Sequence, residues 1–121
     1  MRTSVRLVLV MSLTAAALAL PLTSFANHTV VKATANDTWN ADYNHITPGT
    51  RVVWKNPERH NMPHDLTAYG RNWDKRVYLR PGDQTAKRFR STGTYKYRCR
   101  LHSQLADGQC DGMCGVIHVM R

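Results

Sequence analysis

The chain has 121 residues, a formal net charge of +9 and 21% charged residues. That length accommodates one domain and excludes a multidomain enzyme. An apolar fraction of 42% with three Trp and five Tyr is too high for a disordered basic tail, and seven Gly and five Pro exclude a collagen-like repeat.

Arg2 and Arg6 precede an uncharged, mostly apolar run over residues 7–20, which Pro21 ends. Ser24 and Ala26 then place small residues where a leader peptidase cuts. Residues 1–26 therefore read as a secretory signal peptide, whose removal leaves the domain 27–121. The apolar run falls short of the ~20 residues that a spanning helix needs. No cysteine precedes Cys99, which excludes a bacterial lipid anchor. The predicted location is exported, periplasmic or extracellular.

The remainder alternates β-formers with turn signals. Strands are predicted over residues 28–35, 50–55, 64–69, 76–79, 85–90, 94–99 and 115–120. Pro48-Gly49, Asn56-Pro57, Gly70, Pro81-Gly82-Asp83 and Gly93 punctuate them. Tyr95, Tyr97 and Cys99 share one face and Lys96, Arg98 and Arg100 the other, so Cys99 is expected on the buried side. No window carries a helical stripe. Residues 36–45 are polar and are assigned to neither class. The reading is all-β, a β-sandwich or small barrel.

The donor groups concentrate late in the chain. Cys99 and His102 lie three apart where a strand runs into a loop, and Met113 precedes the last strand. A second histidine must come from elsewhere, and His64, stiffened by Pro63, is the best placed. Two imidazoles, a thiolate and a weak thioether form the ligand set of a type 1 (blue) copper electron-transfer site.

With these residues in view, the chain resembles the small blue copper proteins of the cupredoxin family, the plastocyanin/azurin group. The similar segments are PGTRVVWKN (48–56), MPHDL (62–66), LRPGDQ (79–84) and GTYKYRCRLHSQLADGQCDGMCGVIHV (93–119). The resemblance implies an antiparallel Greek-key β-sandwich holding one copper ion, with His64, Cys99, His102 and Met113 as its metal ligands. It also implies that His102 presents a ring edge to solvent and passes the electron. The sequence departs from that pattern in three ways. Ten residues separate His102 from Met113, more than plastocyanins place there. Arg98 stands where a Tyr often precedes the ligand Cys, and Asp65 stands where an Asn usually follows the first His.

Three cysteines is an odd number, which leaves one thiol over if a bridge forms. Cys110 and Cys114 flank Met113 and are read as a disulfide clamping the methionine in its loop. The alternatives are a bridge from one of them to Cys99 or a metal-ligand role for one of them. His60 lies four before His64, the spacing of a helical zinc pair, but Pro57 and Pro63 oppose a helix and place His60 in a loop. His60 and Met62 are the alternative ligands. His118 is expected exposed or half-buried, His45 has no visible partner, and Trp39, Trp54 and Trp73 read as packing residues. His28 becomes the second residue if the leader is cut after Ala26, one position short of an amino-terminal copper clamp, which would need cleavage one residue earlier to give Ala-Asn-His.

Lys75, Arg76, Arg80, Lys87, Arg88, Arg90, Lys96, Arg98 and Arg100 read as a solvated face. Such a face attracts an acidic redox partner protein or makes weak contact with an anionic envelope surface, rather than binding nucleic acid. No hydrolase, P-loop or zinc-protease motif occurs. The expected function is therefore a monomeric electron carrier that is not an enzyme. The alternative is an exported protein for copper handling, delivery or resistance.

Overall fold

The computed structural model describes residues 27–121, so the leader expected over 1–26 lies outside the described residues. Eight strands run in chain order: β1 His28–Lys32, β2 Tyr43–Ile46, β3 Arg51–Lys55, β4 His64–Tyr69, β5 Arg76–Leu79, β6 Gln84–Arg88, β7 Gly93–Ala106 and β8 Gln109–Val119. A single 3-10 turn, Glu58–His60, separates β3 from β4. The strands form two sheets, ordered β1-β3-β6 and β2-β8-β7-β4-β5.

Both sheets are mixed where the family resemblance implied antiparallel pairing. β1 runs parallel to β3 and β2 runs parallel to β8, while the other pairs are antiparallel. β2 falls in the polar stretch left unassigned above. Its inward face shows only Ile46, so little in its composition marks it as a strand.

Period-2 alternation sets the core. On β7, Tyr95, Tyr97 and Cys99 are buried, and on β8 Met113, Ile117 and Val119 are buried. They meet Val52 and Trp54 of β3, Leu66 of β4, Leu79 of β5 and Phe89 after β6. Trp54 joins the sheets, lying edge-on to Tyr97 at 5.4 Å and stacked on Trp73 at 6.1 Å between ring centroids. Such aromatic pairs add roughly 0.5–1.5 kcal/mol each beyond their burial.

The largest departure from expectation lies between His102 and Met113. No loop occurs there. β7 and β8 continue past the sandwich as a two-stranded arm, with Ser103 paired to Gly112 and Ala106 to Gln109. Asp107-Gly108 closes it with φ of 50° and 73°. Positive φ at both central residues is the backbone of the tight hairpin turn, and Asp-Gly is a preferred sequence for it.

Candidate metal centre

The ladder between β7 and β8 breaks at one place. Arg98 pairs with Cys114 and Ser103 pairs with Gly112, so Cys99, Arg100, Leu101 and His102 all stand opposite the single residue Met113. This interruption lets Cys99 and His102 turn toward one point while Met113 faces them from the other strand. Met113 is fully buried. Gly112 has φ of 98°, and a Cβ there would collide with the carbonyl oxygen of His102. Only glycine lets β8 come this close to the bulge.

His64 arrives from the start of β4. Its position rests on Asn56, a buried residue between β3 and the 3-10 turn. The Asn56 amide nitrogen donates to the carbonyl oxygens of Met62 at 2.7 Å and Leu79 at 2.9 Å. Leu79 is the strand partner of His64, so one side chain fixes both the entering loop and the neighbouring strand.

Three donor atoms converge. The His64 Nδ1 and His102 Nδ1 atoms lie 3.2 Å apart, and the Cys99 sulfur lies 3.8 Å from the first and 3.5 Å from the second. His64 and Cys99 are buried and His102 is half-buried. A triangle with these sides has its centre about 2 Å from every corner, the length of metal–imidazole bonds and close to that of metal–thiolate bonds. One cation at that centre would engage both imidazole nitrogens and the sulfur at once. The residues therefore fit a metal ion.

The electrostatics agree. Burial, and then the nearby His102, hold the His64 pKa below its ordinary 6.5. Burial pushes the Cys99 thiol above its ordinary 9.0, against the pull of the Asp65 backbone N–H. That N–H donates to the Cys99 sulfur at 3.3 Å. The Asp65 carboxylate accepts from the Arg100 backbone N–H at 2.7 Å and from its Nε at 2.8 Å. The Ser103 hydroxyl donates to the Cys99 carbonyl at 2.6 Å. The ligand-bearing bulge is thus tied on both sides.

His102 also faces the loop after β1, where its Nε2 is 3.6 Å from an Asp37 carboxylate oxygen. Sequence reasoning missed Asp37 and Asn56, because both act on residues far along the chain. The remaining candidates fall elsewhere. Cys110 and Cys114 are bridged and Cys99 is free, which closes both alternatives for the cysteines. Met62 is exposed, and its carbonyl rather than its sulfur has the structural role. His60 lies in the 3-10 turn with its Nε2 3.3 Å from Arg59 Nε. His45 does have a partner, the half-buried His118 on the adjacent strand.

No protein-family profile matches the sequence, and no curated protein matches it. Solved structures do. A Cu(I) point variant of amicyanin superimposes with a TM-score of 0.60 at 22% identity, covering 78% of this chain and 83% of that one. A reduced amicyanin variant gives 0.58 at 24% identity, covering 75% and 80%. The copper-containing nitrite reductase NirK from Thermus scotoductus SA-01 gives 0.57 at 20% identity, covering 76% of this chain but 22% of that one. Together with the two sheets and the buried His-Cys-His group, these likenesses establish that the chain has the cupredoxin fold.

Proposed function

We propose that this protein is an exported type 1 copper protein that carries single electrons between redox partners and is not itself an enzyme. The observation that carries the reading is the convergence of His64, Cys99 and His102 donor atoms at 3.2–3.8 Å in a buried site. Copper, when bound, supplies the one-electron chemistry by cycling between Cu(I) and Cu(II).

The chain's residues divide the remaining work. The Cys99 thiolate would be the soft donor, the imidazoles of His64 and His102 would suit both oxidation states, and the thioether of Met113 would be a weak further donor. Cys99 gives up its proton on binding, since the thiolate is the ligand. The Asp65 N–H donates to the sulfur and tempers its charge. Three adjacent strands of the five-stranded sheet, β4, β7 and β8, hold the donors in place, so they need not move between oxidation states. Burial of His64 and Cys99 excludes water. His102, half-buried, is the ring nearest solvent and the exit for the electron.

Other features support the setting. The basic segment, apolar run and small residues of 1–26 support export, and a bridged Cys110–Cys114 pair suits an oxidising compartment. The positive charge supports an acidic redox partner, met by a monomer, with weak attraction to anionic envelope surfaces. Several matched amicyanin structures carry Cu(I), reduced or oxidized in their descriptions.

The test is the visible spectrum of the purified protein with Cu(II). An intense blue band that ascorbate bleaches is the expected result. Pale binding without a thiolate charge-transfer band points instead to copper handling, and a colourless preference for zinc overturns the reading.

A further inference from the structure

A second group of metal-binding side chains lies on the outer face of the five-stranded sheet, where β2 runs alongside the end of β8. The parallel register sets His45 opposite His118. Their ring centroids are 5.2 Å apart with planes tilted by 42°. The corresponding values for His64 and His102 in the buried centre are 4.8 Å and 57°. Met120, two residues beyond His118 and therefore on the same face, brings its sulfur to 3.1 Å from His45 Nδ1. The Tyr43 hydroxyl lies 3.1 Å from His118 Nδ1.

We propose that His45, His118 and Met120 form a surface site for a soft monovalent metal ion, Cu(I) or Ag(I), separate from the buried centre. The donor set determines the class of ion. Two neutral imidazoles and a thioether, with no carboxylate among them, match soft ions and disfavour calcium or magnesium. The Tyr43 contact supplies the orienting partner that metal-binding histidines ordinarily have. When His118 Nδ1–H donates to the Tyr43 oxygen, the lone pair falls on Nε2. His45 and Met120 are exposed, so small side-chain rotations complete the site. An open groove lined by His28, His45, Ile46 and Met120 gives an ion access from solvent. Packing alone does not explain the cluster, because none of its three donors lies in the core. His118 lies five residues beyond Met113 along β8, roughly 16 Å, too far to share an ion with the buried group.

The test uses the full chain and silver(I) as a redox-inert probe. Equilibrium dialysis at micromolar free Ag(I) compares wild type with a His45→Gln, Met120→Leu double variant, both checked for an unchanged melting temperature. Wild type is expected to hold one more equivalent of silver than the variant. The difference of one holds whatever the buried centre binds, so it stands or falls apart from the copper reading above. In parallel, the ring-proton resonances of His45 and His118 are expected to shift on silver addition. Equal silver capacities, or unmoved His45 and His118 resonances, overturn the proposal.

Discussion

Asp65 and Arg100 are joined twice, by a backbone N–H at 2.7 Å and by Nε at 2.8 Å, and the pair spans the two strands that deliver His64 and Cys99. Asp65 is buried, whereas the Arg100 side chain is 37% exposed. The carboxylate that departs from the family pattern therefore comes with its own cation, one residue past the thiolate. Asp65→Ala removes both carboxylate acceptors and leaves the Arg100 Nε only the Thr67 hydroxyl at 3.1 Å. It is expected to cost about 1–3 kcal/mol of stability, discounted for the exposed guanidinium, and to weaken copper binding. Asp65→Asn keeps one acceptor and is expected to cost less. Denaturant midpoints and the copper affinity of both variants check this, and a neutral Asp65→Ala would remove the tie from the account.

Gly112→Ala forces a Cβ into the His102 carbonyl at a φ of 98°. The expected loss is about 2–4 kcal/mol, combining left-handed strain with the steric overlap. The charge-transfer band of the copper-loaded variant should also move, because His102 must shift to make room. A variant with wild-type stability and spectrum would show that β8 can retreat without cost.

Cys110 and Cys114 are four residues apart on β8, yet their Cα atoms are 6.1 Å apart. A straight strand would separate them by about 13 Å, so the bridge spans a sharp bend centred on Gly112. Replacing both with Ser is expected to cost about 2 kcal/mol from loop-closure entropy. The reduction potential should also change, since the bend carries Met113. An unchanged potential and copper affinity would show that the bend holds without its bridge.

Met113→Leu is expected to keep the blue band and raise the potential, because removing a weak donor disfavours Cu(II) more than Cu(I). Cyclic voltammetry decides it. A wild-type potential would show that the buried thioether is packing and no more.

The metal-free protein should be most stable near neutral pH. His64 has a lowered pKa in the folded state, so below its ordinary 6.5 the unfolded chain binds the extra proton and stability falls with falling pH. Cys99 has a raised pKa, so above its ordinary 9.0 the unfolded chain releases a proton that the folded one keeps, and stability falls again. Chemical denaturation across this range checks both limbs. His64→Gln should flatten the acid limb and Cys99→Ser the alkaline one.

The strands at His64–Tyr69 and Arg76–Leu79 were legible to the residue, the first between Pro63 and Gly70 and the second ahead of the Pro81-Gly82-Asp83 turn. Cys99 and His102 were legible because a thiolate and an imidazole at a strand end have few other uses. The arm beyond His102 was not. Its residues, from Ser103 to Asp111, are mostly exposed and polar on both faces, so no apolar period marks them as strand. Asn56, Asp37 and the Asp65–Arg100 pair were hidden for a different reason. Each acts across tens of residues of chain, and only the folded register brings the partners together. The His45–His118 pairing depended likewise on a parallel register that a polar strand does not announce.

The two-stranded arm between His102 and Met113 has a consequence for how such a protein can vary. Because side chains alternate with a period of two, cross-strand pairs can be added at its tip or removed from it without rotating any residue nearer the sheet. The distance along the chain between these two residues is thereby uncoupled from their distance in space. Length at the tip becomes a free variable, open to insertion and tailoring, while the bulge at its root stays fixed.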